Sequence, residues 1–314
     1  MARIAITGAT GFVGGTVAAV LEAKGDEVVC LTRRPADLPW SSALVDFADP
    51  ASLVAALEGC AGVAHLAIFN DFHGMYADRR RAYDGYLGLT RAVVDAANVV
   101  GARIGYISTD WVFDGTGHLV DETEPPNPVN LYGFMKAASE LVVLERANAG
   151  FVARVGGVQG LHLTQSAGPR AQDVGFGYFV LSLVDALRSG ERFCVWEDPE
   201  INSVATPIVS AEIGALLGLA FESAASGVLH FAGGTAVTRR ELAFATCKVF
   251  ELDPVLLDFG PPPAEARLPA PVPYDTSMSA ERTMAALGAT AYPIEAQLAS
   301  LRDEWESGRP VPLS

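Results

Sequence analysis

Short apolar runs alternate with helically spaced segments along the first half of the chain. Residues 2–7 (ARIAIT) read as a strand running into a glycine cluster, and in residues 15–24 the apolar Val17, Val20 and Leu21 recur at helical intervals. The alternation continues. Residues 25–34 predict a second strand, 49–60 a helix with Asp49 near its start, 62–69 a strand, 81–101 a long helix, 103–113 a strand, and 131–150 a helix closed by Gly150. Strands joined by helical crossovers predict an α/β fold of the Rossmann type, a doubly wound parallel sheet covered on both faces.

Residues 151–160 (FVARVGGVQG) predict one more strand, and the regularity then weakens. Residues 156–178 are glycine-rich and read as mostly loop, including Gly168 and Pro169. Helices are expected at 178–188, 210–222, 238–250 and 279–287, with strands near 193–196 and 228–232. Residues 260–273 hold six prolines and are expected to cross the second lobe in extended form. The division that follows is a dinucleotide-binding Rossmann domain over 1–160. A smaller C-terminal substrate-binding lobe spans 161–314 and returns some elements to the sheet.

Composition narrows the function. The chain has 314 residues, 50% hydrophobic and only 19% charged, which excludes a disordered protein. A formal charge of −15 argues against nucleic acid and anionic lipid as partners. No apolar stretch approaches the ~20 residues that a membrane span needs. Cys30, Cys60, Cys194 and Cys247 lie far apart and form no metal pattern with the five histidines. The expectation is a cytoplasmic protein with reduced thiols and no metal.

The first glycine cluster, Thr7-Gly8-Ala9-Thr10-Gly11-Phe12-Val13-Gly14, lies where a strand hands over to a helix. Gly8 permits the turn, Gly11 lets backbone approach a pyrophosphate, and Gly14 lets helix pack on strand, with the helix N-terminus facing the phosphates. At the end of the next strand, Arg33 and Arg34 stand where an acidic residue would bind the ribose of NAD, so NADP(H) is the preferred cofactor and NAD(H) the alternative. Ordinary surface charges are the competing reading for both arginines. Asp46 is placed to meet the adenine, with helix capping or solvation as its competing role. The candidate cofactor contacts are Gly8, Thr10, Gly11, Phe12, Val13, Gly14, Arg33, Arg34, Asp46, Ala67, Tyr132 and Lys136.

Tyr132 and Lys136 stand at i and i+4 in LYGFMKAASE, which puts both on one helix face. Reducing a ketone by hydride transfer leaves an alkoxide that needs a proton, and a phenol can supply it. A lysine ammonium a few ångströms away is expected to lower the phenol's pKa by about two to three units. Thr109, at the carboxyl end of the strand ISTDWVF, is placed to bind the substrate carbonyl, with Ser108 as competitor. Alternate strand residues face opposite sides, so only one of the pair reaches the crevice.

The runs GATGFVG, STDWVFDG and DETEPPNPVNLYGFMKAASE resemble the extended short-chain dehydrogenases/reductases, and specifically the dTDP-4-dehydrorhamnose reductase branch. Later segments, NSVATPIVSAEIGALL, GVLHFAGGTAVTRRELA and YDTSMSAERTMAALG, extend the resemblance over essentially the whole chain. It implies Thr109, Tyr132 and Lys136 as catalytic triad, the three glycines at the pyrophosphate, and a nucleotide-sugar ketone as substrate. A helix-to-helix homodimer is common among such proteins. The chain also departs from the branch. Asp84 stands where the family has a helix asparagine, and residues 67–83 and 154–160 differ from its usual text. The leading expectation is an NADPH-dependent ketoreductase acting on a 4-keto-deoxysugar or a similar small ketone. An epimerase, or less readily a dehydratase, and a non-catalytic NADP-binding regulatory subunit are the alternatives.

Overall fold

The computed structural model describes residues 1–69, 71–164 and 171–313. Gly168 and Pro169, expected in a loop, lie outside the described residues. Seven parallel strands form one sheet. In chain order they are β1 (Arg3–Thr7), β2 (Glu27–Thr32), β3 (Ser41–Leu44), β4 (Gly62–His65), β5 (Arg103–Thr109), β6 (Gly150–Val155) and β7 (Gly227–Phe231). In space the order is β7, β6, β5, β4, β1, β2, β3. The chain therefore builds outward from β1 in one direction, then returns to its other side with β4. That reversal opens a crevice at the strands' carboxyl ends, where Thr7 and His65 stand side by side in register.

Both faces of the sheet are covered. On one side Val17 and Leu21 of helix α1 (Phe12–Ala23) pack with Ile213 and Leu217 of the helix Ser210–Glu222. On the other, Leu53, Val93, Val94 and Val143 pack against Val63 and Ile104 of the strands. A second core, with Phe179, Val184, Leu242, Leu298 and Leu301, holds the C-terminal lobe together.

Several boundaries differ from the sequence expectation. The helix beginning at Leu131 ends at Arg146, and Gly150 opens β6 instead of closing the helix. The expected strand 103–113 stops at Thr109, because Asp110–Val112 coil into a 3₁₀ turn that the Thr109 hydroxyl caps. The expected strand 62–69 is paired only as far as His65. The long helix of 81–101 is broken into Arg79–Tyr83, a π-turn Asp84–Gly88 and Leu89–Val100. Gly85 sits in that turn, and a Cβ there would come within 2.8 Å of Phe69 Cβ. Helix Ile294–Ser307 is not among the anticipated elements, although Ile294, Leu298, Leu301 and Trp305 recur at spacings of four, three and four.

Candidate active site

The glycine turn forms because its neighbours leave no room for side chains. Gly8 has φ +80°, and a Cβ there would lie 2.9 Å from the backbone nitrogen of Ala67, two residues beyond β4. A Cβ on Gly14 would lie 2.2 Å from the Gly8 carbonyl oxygen, so only glycine lets α1 dock on the turn. Gly11 donates its N–H to the Gly8 carbonyl at 2.9 Å. Phe12 at the start of α1 packs its ring 5.0 Å from Tyr178, and the carbonyl of exposed Thr10 accepts from the Thr164 hydroxyl at 3.2 Å. Residues from the second lobe thus overlie the turn.

A cavity of about 1430 Å³ opens beside it, lined by Arg33, Asp46, Phe47, Ala67, Ile68 and Leu89 among others. Arg33 and Arg34 are both exposed, but of the two only Arg33 is in the cavity wall. Asp46 caps no helix: its carboxylate accepts from Ala48 N at 2.9 Å, whereas Asp49 caps the following helix by accepting from Ala51 N at 3.0 Å. The glycine turn and this cavity fit a dinucleotide, and Arg33 puts a cation in the cavity wall.

Three groups that the sequence did not single out support the floor of the crevice. The Thr7 hydroxyl oxygen accepts from Leu66 N and Ala67 N, at 3.2 and 3.1 Å, and donates to His65 Nδ1 at 2.7 Å. With Nδ1 accepting, Nε2 carries the proton that reaches Thr90 Oγ1 at 3.2 Å. Complete burial and the nearby Lys136 push the His65 imidazole down to about 3, so it is neutral. Each of these residues is individually unremarkable in sequence, and only strand pairing assembles them.

Tyr132 and Lys136 share one face of helix Leu131–Arg146, whose start Asn130 caps by accepting from Gly133 N. Lys136 is 3% exposed and donates to the Ile107 carbonyl of β5 at 2.7 Å, with its nitrogen 5.0 Å from the Tyr106 ring centre. Burial pulls its ammonium down to about 7, against the opposing pull of Glu140. Tyr132 is enclosed by the rings of Trp111, Tyr86 and Phe72 at 5.9, 6.3 and 6.5 Å. The expected lowering of its phenol is not found. Burial pushes it up to about 12 against a hydrogen bond with Thr109, and the carboxylates of Asp110 and Asp173 add to the rise.

Thr109 and Ser108 diverge as strand alternation requires. Thr109 Oγ1 faces Tyr132 and donates to Asp110 Oδ1 at 3.0 Å, while Ser108 points the other way, to the buried Glu140. Glu140 is in turn paired with Arg154 at 2.8 Å. Asp84, at the position of the family asparagine, is half-exposed and paired with Arg80 at 2.9 Å. The structure thus brings Thr109, Tyr132 and Lys136 to the carboxyl end of β5, two strands from the glycine turn.

The family model described as RmlD substrate binding domain matches residues 2–306. A dTDP-4-dehydrorhamnose reductase of Mycolicibacterium smegmatis is 29% identical over 287 residues, covering 90% of this chain and 79% of that protein. A dTDP-4-keto-6-deoxy-D-glucose reductase of Streptomyces niveus is 26% identical over 257 residues, 80% of each chain. The methionine adenosyltransferase 2 subunit beta of Bos taurus is 46% identical, over only 59 residues, 19% of this chain and 18% of that one. Among solved structures, the dTDP-4-dehydrorhamnose reductase of Bacillus anthracis in complex with NADP superposes with a TM-score of 0.78 at 21% identity, covering 96% of this chain and 99% of that one.

Proposed function

Since this chain belongs to the RmlD substrate-binding family, and so to the NAD(P)-dependent oxidoreductases of the extended short-chain dehydrogenase/reductase type, we propose that it is an NADPH-dependent reductase of a nucleotide-linked 4-keto-6-deoxysugar. The observation that carries this reading is the convergence of Thr109, Tyr132 and Lys136 at the end of β5, beside a glycine turn and a cavity with Arg33 in its wall. Gly8, Gly11, Gly14, Arg33, Asp46, Ala67 and Lys136 would hold the cofactor, with Thr10, Phe12 and Val13 at the entry to its phosphate site. When bound, the cofactor supplies hydride to the carbonyl carbon.

On binding of the ketone the Thr109 hydroxyl would turn its one proton from Asp110 to the carbonyl oxygen and so orient it, and Tyr132 protonates that oxygen as the alkoxide develops. A phenol held near 12 keeps its proton at physiological pH and still gives it up readily to an alkoxide, which suits the reductive direction. Asp110, anchored by donation from the Thr276 hydroxyl at 2.6 Å, holds Thr109 in place. Lys136 steadies the helix face against β5 and contributes positive charge below its pKa.

A cytoplasmic setting belongs to the proposal, one in which Cys30, Cys60, Cys194 and Cys247 are kept reduced. A homodimer completes the proposal: exposed Leu141 and Leu144 lie on the outer face of the helix that carries Tyr132, an apolar surface that a second copy would cover. Light scattering reads the oligomeric state directly.

The test is NADPH oxidation with dTDP-4-dehydrorhamnose and a panel of unrelated ketones. Stoichiometric oxidation supports the reductase. Return of hydride to the sugar without net oxidation indicates an epimerase, and NADPH binding with no turnover of any ketone indicates a regulatory subunit.

A further inference from the structure

Two carboxylates act on the Tyr132 phenol, and their surroundings differ. Asp110 is buried and saturated by the hydroxyls of Thr109 and Thr276. Asp173 keeps an open side, and among the described residues its carboxylate accepts from the backbone N–H groups of Gly175, Gly177 and Asp173 itself. The two glycines are what let the loop wrap it. A Cβ on Gly177 would lie 2.5 Å from Asp173 Oδ2, and one on Gly175 would lie 3.2 Å from the Trp111 ring beside Tyr132.

The loop is fastened from beneath by a buried cation. Arg239, 2% exposed, donates to the carbonyls of Asn202 and Asp173 at 2.8 and 2.9 Å, to the Gly175 carbonyl, and to Gln172 Oε1 at 3.3 Å. Its guanidinium lies 5.1 Å from the Phe176 ring centre. These contacts hold the backbone of the loop and leave the Asp173 carboxylate facing the cleft. A buried arginine committed to main-chain carbonyls is a costly arrangement unless the segment it shapes has to keep its form.

We propose that Asp173 selects the ketone, by accepting a hydrogen bond from a hydroxyl or ammonium group on the carbon next to the reacting carbonyl. This rests on the reductase reading above. In a 4-keto-6-deoxysugar the donor next to the carbonyl is the substituent at C3, since C5 carries only the ring oxygen, a hydrogen and the methyl group. With Tyr132 and Thr109 on the carbonyl oxygen, Asp173 sits where that neighbouring substituent can be read. The protein crowded round its other sides desolvates Asp173 and holds it up at about 6 against the pull of Arg239, so at neutral pH it is ionised and acts as acceptor through its open side. Among the described residues, Tyr132 and Arg239 are ionisable groups that interact with it.

The test compares the wild type with Asp173→Asn, whose amide oxygen still accepts from Gly175 and Gly177 and so keeps the loop. The probes are dTDP-4-dehydrorhamnose, its 3-deoxy analogue and its 3-amino analogue, with NADPH affinity followed by fluorescence titration. For the hydroxylated ketone, kcat/KM falls in the variant by roughly 10- to 100-fold, whereas the 3-deoxy ketone and NADPH affinity change by less than about twofold. A larger loss on the amino ketone than on the hydroxylated one identifies the ammonium as the preferred donor, and the reverse order identifies the hydroxyl. Equal losses on the hydroxylated and deoxy ketones, or no loss on either, overturn the proposal. If the wild type binds NADPH and reduces none of the three, the reductase reading fails. Calorimetric binding of dTDP-rhamnose and its 3-deoxy analogue to both proteins then decides the role of Asp173, which is overturned if the variant does not lose the preference.

Discussion

The ammonium of Lys136 is fastened to the Ile107 carbonyl at 2.7 Å, one residue before Ser108 on the strand that delivers Thr109. Helix and strand are thereby locked beside Thr109. The lysine's low pKa has a direct consequence: it is charged below about pH 7 and neutral above. The kcat/KM for NADPH, which reports the free protein, is expected to fall as pH rises through about 7. Lys136→Met is expected to remove that limb while lowering the plateau. A wild-type profile flat from pH 6 to about 9 would contradict the assigned role.

Replacing Tyr132 by phenylalanine removes the proposed proton donor and little volume. Ketone reduction is expected to drop by about 10²- to 10⁴-fold with NADPH affinity retained. Steady-state rates and fluorescence titration on the same preparation check both halves of the statement.

Arg33 and Arg34 are neighbours in sequence with unequal positions, since only Arg33 lines the cavity. Arg33→Ala is expected to weaken NADPH binding by on the order of tenfold and to leave NADH binding nearly unchanged. Arg34→Ala is expected to have the smaller effect on NADPH. Equal effects of the two substitutions would move the 2′-phosphate away from Arg33.

A stability prediction comes from the far end of the chain. Glu304 is completely buried in helix Ile294–Ser307, facing the backbone N–H of Leu161, and burial pushes its carboxyl up to about 7. A carboxyl whose folded pKa exceeds its unfolded value of 4.5 favours the fold fully below pH 4.5, and that contribution is lost as pH rises through about 7. Glu304→Gln is therefore expected to raise the Tm at pH 8 by roughly 2–5 °C and to leave it almost unchanged near pH 4. Glu212 is shifted in the same direction, to about 7, so part of the pH slope remains in the variant. Calorimetric scans at the two pH values measure it.

Local patterns carried the parts of the site that are local. The spacing of Gly8, Gly11 and Gly14, the i, i+4 pair Tyr132 and Lys136, and the alternation of Ser108 and Thr109 are each set within a few residues, and each is legible in the chain. What escaped comes from distant segments. The rise of the Tyr132 phenol is set by burial and by Asp110 and Asp173, the second of them 41 positions away in sequence. The Thr7–His65–Thr90 chain needs β1 and β4 in register before it exists. Arg239 gives no sign in sequence that it will end in a ring of carbonyls from residues 172–202. Gly150 looks like a stop signal in sequence, but the helix already ends at Arg146 because the backbone turns extended at Ala147.

The pairing of β6 with a strand more than 70 residues downstream has a practical outcome for anyone dissecting the protein. A fragment cut after residue 160 would lose β7 and the helix Ser210–Glu222 that shields α1, leaving β6 as an open border, apolar except for Arg154. The N-terminal and C-terminal halves are interleaved, and a gene expressing the first alone should yield aggregate in place of a miniature fold.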